Sequence, residues 1–226
     1  MNAMTAPCFH PDQFMLSDYA AGSLQGAVAL PLAVHLEYCQ QCRRETQQLE
    51  EVAACLFENL DPVPVGEDTL EQVLRRIDSI VADDVAPAQG AVPAPLHAGI
   101  PRALRSLVPA GLDALDWKRI GSLRSSRLRF GDSEREVALQ HISAGGKVLG
   151  HGHRGVEITV VINGSFSDQD GCYRSGDFLM RGPDDVHRPV AAQDGDCLCL
   201  AVLDAPIRLE GWVGRFLNPF MKIRPL

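Results

Sequence analysis

The chain has 226 residues, 46% of them hydrophobic and 22% charged, which is enough for one large domain or two small ones around a buried core. No apolar run approaches the roughly 20 residues of a membrane span, and the N-terminus has no basic segment followed by an apolar stretch, so neither a membrane protein nor a secreted one is expected. Seven cysteines, an odd number without a leader, fit a reducing cytoplasm with thiols free or bound to metal. The net charge of −8 is unevenly placed: residues 1–85 carry 14 acidic and 4 basic side chains, residues 86–226 carry 15 and 17. This asymmetry points to two modules and a basic partner for the first, or simply to a solvated acidic surface. Direct nucleic-acid binding by the acidic module is not expected, because phosphates need Lys and Arg.

Four helices are expected in the first module, residues 1–85. The first follows Asp12, with Phe14, Met15, Leu16 and Tyr19 as its apolar stripe and Gly22 as its stop. The second runs from about Gln25 to Tyr38 and carries Leu30, Leu32, Val34 and Leu36; Pro31 either kinks it or marks its true first turn. The third runs from near Cys39 to about Asn59, with Leu49, Val52, Leu56 and Phe57 at helical spacing and Cys55 on the same apolar side, hence expected in the core. After the Pro-rich break at 61–66, the fourth, from Glu67 to about Ala82, places Leu70, Val73, Leu74, Ile77, Ile80 and Val81 on one face. That face either packs against the other three helices or is left for a partner.

Within this module lies His35-Leu-Glu-Tyr-Cys39-Gln-Gln-Cys42. A Cys-x-x-Cys pair can put two thiolates on one tetrahedral ion, and a His four residues earlier, one helical turn away, can reach the same ion. His10 is the natural fourth ligand, brought in by the preceding helix, with Cys8 as its substitute. A redox pair would want a strand before the cysteines and a βαβ setting, neither of which is visible. Two ordinary buried thiols are the third reading; residue types and spacing favour zinc. The pattern resembles the zinc-binding anti-sigma domain. The resemblance implies that His10, His35, Cys39 and Cys42 hold zinc and that the helices wrap an extracytoplasmic-function sigma factor. The fourth helix would then be a separate arm reaching another region of it. The acidic balance fits a partner whose DNA-facing surfaces are basic.

Residues 86–101 are rich in Pro and Ala with no periodic apolar face and read as an extended linker. His97 within it has no evident partner. Ala103 to Val108 suggests a short helical turn. From Asp116 on, strands are expected at 117–120, 126–130, 136–142, 148–153, 157–162, 165–168, 171–174, 177–180, 197–203 and 207–209, with Trp212–Leu217 as a terminal helix or strand. Many short strands at near-regular spacing indicate a sandwich or barrel. His151 and His153, two apart, share a face of an extended segment, Glu157 opens the next strand, and Asn163-Gly164 signals a tight turn. With His187 these residues make a ligand set for zinc, iron or manganese. Gly145, His151, His153, Glu157 and Gly164 match every position of the first cupin motif. Gly176 and His187 match the second, which departs at Gly182, Asp184 and Ala191. The resemblance implies a double-sheet jelly roll over residues 102–226 with its metal on His151, His153, Glu157 and His187. His141 on the preceding strand reads as a hydrogen-bonded wall residue. Cys197 and Cys199 share one face, near the metal and oxidation-sensitive if that face is inward. Cys172 sits in a hairpin with no evident role.

A zinc anti-sigma domain followed by a cupin is similar to the ChrR-like anti-sigma factors. Membership of that family implies a cytoplasmic inhibitor whose helical module alone holds the sigma factor. Its cupin would answer singlet oxygen or organic hydroperoxides, with release by conformational change or proteolysis. A homo-oligomer through the cupin domain is compatible with this. The rival reading is a metal-dependent cupin dioxygenase, its ion leaving positions open for oxygen and substrate and the helices serving in oligomerisation. Such an enzyme has no need of the separate thiolate pattern.

Overall fold

Asp12 starts the first helix. Its Oδ1 accepts the Met15 N–H at 2.8 Å, capping α1 (Gln13–Ala20). The computed structural model describes residues 6–84, 99–131 and 134–209. α2 (Gly26–Tyr38) follows and holds Pro31 inside it rather than at its first turn. Cys39 separates α2 from α3 (Gln40–Glu58), and its Sγ accepts the Cys42 N–H at 3.4 Å as the N-cap of α3. α4 spans Thr69–Asp84.

The strands are β1 (Lys118–Ile120), β2 (Leu123–Arg127), β3 (Glu136–Ile142), β4 (His151–Gly152), β5 (Glu157–Asn163), β6 (Ser165–Ser167), β7 (Cys172–Arg174), β8 (Phe178–Arg181), β9 (Val186–His187), β10 (Val190–Ala191), β11 (Cys197–Leu203) and β12 (Arg208–Leu209). They build a six-stranded sheet, β1-β2-β3-β11-β5-β8, and two three-stranded ones, β10-β6-β7 and β12-β4-β9, with every pairing antiparallel. This is the jelly-roll arrangement expected of a cupin. Gly164 closes the β5–β6 turn at φ +75°, and a Cβ there would fall 2.1 Å from the Asp196 carbonyl oxygen, so only glycine fits.

The centre of the six-stranded sheet, at β11, is buried on both faces, which explains why β11 is an unbroken apolar run instead of an alternating one. Leu198, Leu200 and Val202 point to the helices and share a core with Leu16, Leu32, Val34, Val137, Leu139 and Val160. Cys197 and Cys199 point the other way, into the barrel with Ile142, Val161, Phe166 and Tyr173. α2 therefore lies between the sheet and the turn at 102–104, and it is apolar nearly all round because it is covered nearly all round. Glu37 ties that turn down by accepting the N–H groups of Arg102 and Ala103, both at 2.9 Å. The helical module and the barrel thus share one core.

Two expectations need correction, and two short strands fall where none was expected. The strand expected at 126–130 runs over Leu123–Arg127, in register with Ala138–Ile142 of β3. β9 and β10 carry no periodic signal of their own, being two residues each. Cys55 is exposed, since nothing among the described residues covers the side of α3 it occupies. From residue 50 to residue 79 every residue is exposed, Phe57 by 75% and Leu70 by 70% among them. The apolar face of α4 therefore does not pack at home. The side chains of Ile80 and Val81, most of the 86–101 linker with His97, and Trp212–Leu217 lie outside the described residues.

Two candidate metal centres

The first cluster is assembled from three pieces of chain. His35 sits in the last turn of α2, Cys39 caps α3, Cys42 lies in its first turn, and His10 comes from the extended segment ahead of α1. That last placement corrects the expectation that a preceding helix carries His10. The His10 Nδ1 lies 3.4 Å from both thiol sulfurs, and His35 Nε2 lies 3.3 Å from Cys42 Sγ. All four ligand atoms fall within 4.8 Å of one another. Cys8 is exposed, its sulfur turned to the Ala6 carbonyl, and takes no part.

His35 is oriented for an ion. His35 donates its Nδ1–H to the Gly176 carbonyl at 2.6 Å, which leaves Nε2 with a free lone pair. Burial pushes the His35 imidazole down to about 4, against the pull of that hydrogen bond, so it stays neutral. Burial and the neighbouring Cys39 push the Cys42 thiol up to about 12, and only a cation would hold it as thiolate. The N-terminus of α3 adds its dipole at the sulfurs. Two thiolates and two imidazoles make a soft, four-ligand set of the kind that fits structural zinc.

The second cluster sits inside the barrel. β4 and β9 pair so that His151 stands opposite His187, with their Nε2 atoms 3.0 Å apart. Glu157 begins β5, and its Oε2 lies 3.2 Å from His153 Nδ1. All four side chains are buried, and their ligand atoms again lie within 4.8 Å of one another. His151 donates Nδ1–H to the Leu149 carbonyl at 2.9 Å, and His187 donates Nδ1–H to Asp168 Oδ2 at 3.3 Å, so both present Nε2 inward. His153 Nε2 and Glu157 Oε2 are buried with no hydrogen-bond partner, an expense that a cation between them would remove. Burial, helped by His151, lowers His187 to about 4, and burial also lowers His153. Three imidazoles and a carboxyl group suit zinc, iron or manganese.

Beside His151, Glu157 and His187 lies a cavity of about 190 Å³, largely apolar, with Cys199 in its wall. The Cys197 and Cys199 sulfurs are 3.6 Å apart and face the interior. His141 stays outside the cluster, paired through Nε2 with Asp196 at 3.0 Å, as a wall histidine should be. The turn before His187, where the second cupin motif departs, is closed by Asp185, whose carboxylate accepts the Gly182 N–H at 2.7 Å. Cys172 is exposed.

Sequence reasoning missed Asp168, Tyr173, Asp177 and Arg181. The Asp168 side chain is fully buried, accepts from the Asp170 N–H at 2.9 Å and pairs with Arg181 at 2.9 Å. Burial alone would raise its carboxyl, but the Asp170 N–H and the Arg181 guanidinium outweigh burial and hold it below the ordinary range. A lone Asp in a hairpin carries no spacing signal. Its only clue is a position from which it could orient a ligand histidine.

Residues 110–205 match the family described as the ChrR Cupin-like domain. The chain is 34% identical over 218 residues to the Anti-sigma-E factor ChrR of Cereibacter sphaeroides, covering 95% of this chain and 98% of that protein. A crystal structure of Rhodobacter sphaeroides SigE in complex with the anti-sigma ChrR superposes with a TM-score of 0.74 at 32% identity, covering 88% of this chain and all of the matched one.

Proposed function

Because the chain belongs to the ChrR family of anti-sigma factors, we propose that it binds and inhibits an extracytoplasmic-function sigma factor and releases it under oxidative stress. The observation that carries the first half is the run from residue 50 to residue 79, helical over most of its length, apolar on one side and wholly exposed. A monomeric protein does not keep such a surface uncovered without a use for it. Its eight acidic residues, among them Glu50, Glu58, Asp61, Glu67 and Asp78, outnumber its two arginines and suit a basic partner surface. We assign residues 1–85 to the anti-sigma domain, 86–101 to a linker and 102–226 to the cupin. No described helix is long and apolar enough to cross a membrane, in keeping with work in the cytoplasm.

His10, His35, Cys39 and Cys42 would hold zinc, and His151, His153, Glu157 and His187 zinc or another divalent ion such as iron or manganese. In the first centre the ion would supply a rigid tetrahedral link and no reaction. His35 and Cys42 then fix the angle between α2 and α3, which sets the direction in which the exposed arm leaves the barrel. In the second centre Asp168 and the Leu149 carbonyl orient His187 and His151. Singlet oxygen or an organic hydroperoxide reaching the adjoining cavity would meet these ligands first. A regulator of this family is not an enzyme, so the dioxygenase reading is set aside.

The test is direct. The full-length chain, co-expressed with each extracytoplasmic-function sigma factor of its own genome, should form a stable complex with one of them and suppress promoter-specific transcription in vitro. Hydroperoxide or a photosensitiser with light should dissociate that complex. Failure to bind any of them would overturn the proposal, and binding without oxidant-dependent release would remove its second half. Metal analysis should give two ions per chain, and one zinc with one iron would reopen the question of the cupin's chemistry.

A further inference from the structure

The two clusters lie far apart in sequence, yet one corner of the barrel, where the chain passes from β7 in the small sheet to β8 in the large one, touches both. Its turn, between β7 and β8, holds the first cluster. The Gly176 carbonyl accepts from His35 Nδ1 at 2.6 Å. Asp177, wholly buried, accepts the N–H groups of Cys8 at 2.6 Å and Phe9 at 3.1 Å through Oδ1, and that of Arg174 at 2.7 Å through Oδ2. The Phe178 N–H donates to the Phe9 carbonyl at 3.0 Å, so the segment carrying His10 is stitched to the start of β8. The approach is close: at Gly176, with φ +92°, a Cβ would stand 2.6 Å from Tyr38 Cβ and 2.7 Å from Pro7 Cγ. Two of the four ligands of the first cluster are thus positioned by the cupin domain and not by the helices alone.

The same corner is fastened to the second cluster. Tyr173 packs its ring edge-on to Phe9, with centroids 4.7 Å apart. Its hydroxyl donates to Asp168 Oδ1 at 3.2 Å and accepts from Arg181 at 2.8 Å. The other oxygen of Asp168 accepts from His187 Nδ1 at 3.3 Å. Contacts therefore run unbroken from His187 through Asp168, Tyr173 and Phe9 to His10.

We propose that the β7–β8 corner, which joins the small sheet to the large one, couples the two centres: Asp177 and Tyr173 are positioning residues through which a disturbance at His187 loosens the ligands His10 and His35. This rests on the reading that both clusters hold a metal ion. An event inside the barrel then reaches the base of α2 and α3 with no need for the linker to transmit it. Buried, fully paired polar groups of this kind have few alternative arrangements, so a shift at one end is passed on and not absorbed.

The experiment uses the full-length chain loaded with cobalt in place of zinc. Only the first cluster contains cysteine, so the sulfur-to-cobalt charge-transfer band reports that centre alone. Decay of the band in excess chelator gives the lability of the centre. Asp177→Asn should speed the decay roughly tenfold, as loss of an orienting partner does at other metal sites. His187→Ala, in the barrel's interior and outside the first cluster, should speed it roughly fivefold. That second effect should shrink to near nothing in the Tyr173→Phe background, because removal of one hydroxyl cuts the path without emptying the core. Asp168→Asn serves in place of His187→Ala if the latter does not fold. Decay unchanged by either barrel variant, or an undiminished His187→Ala effect in Tyr173→Phe, would overturn the coupling while the band itself still vouches for the first centre. Absence of the band in the parent protein would instead overturn the reading of the centre, and the coupling with it.

Discussion

α2 and α4 are neighbours in the same small module and of similar length, yet one is buried on nearly every side and the other on none. Both have apolar residues at helical spacing. The difference is what surrounds them: α2 lies between the six-stranded sheet and the turn at 102–104, whereas no described side chain of α4 has a cover on this chain. The apolar stripe of α2 is thus spent on folding and that of α4 is kept for binding. The first candidate metal cluster stands where α2 ends and α3 begins, at the border between the covered part of the helices and the exposed arm.

The largest effect should come from removing that border. Cys42→Ser takes one thiolate from the first cluster and should abolish both the ion and any measurable sigma complex, because the binding energy of a structural zinc is also folding energy for the elements it joins. Retained inhibition in an apo Cys42→Ser protein would break the claim that the metal sets the course of the arm. Next is the core side of the comparison. Leu32→Ala, at a wholly buried position of α2, should cost roughly 2–5 kcal/mol of folding stability in denaturant titration. Leu74→Asp on α4, half exposed, should move folding stability by less than about 0.5 kcal/mol but weaken sigma binding by about 2 kcal/mol, roughly thirtyfold in Kd. If Leu74→Asp unfolded the protein and left binding alone, the contrast between the helices would be void. Glu157→Ala, inside the barrel, should leave inhibition in place and remove the oxidant response. A variant that still released its partner under hydroperoxide would show that the cupin ion is not part of the sensor.

What could be read beforehand follows the same division. His35, Cys39 and Cys42 were legible because a helical turn and a capping loop fix their spacing locally. His151, His153 and Glu157 were legible because one strand-turn-strand unit carries all three. His187 was legible only as a histidine shortly after that unit, matched by the second cupin motif, because β9, which carries it, has no pattern of its own. Long-range partners were not legible at all: the contact of Gly176 with His35 joins residues 141 apart, and Asp168 and Asp177 look like ordinary loop aspartates. Cys55 shows the limit of periodicity, which says which face of a helix is apolar and not whether this chain supplies anything to lie against it.

The smallest effect tests how far α4 stands on its own. Helices of this length are marginal in water without packing, and none of its described side chains is packed. Its local support includes the Glu71–Arg75 pair at 2.6 Å, one helical turn apart, with both side chains largely exposed. Such a pair contributes about 0.3–0.5 kcal/mol and is screened by salt. Glu71→Gln should therefore lower the helical signal slightly and weaken the sigma complex by no more than that amount, with the difference vanishing in about 1 M salt. A partner that orders α4 on binding must supply what the helix lacks alone, so the loss should appear in binding as well as in helicity. Should helicity fall and affinity stay fixed, α4 would not be part of the grip, and the interface would have to be sought on the exposed half of α3.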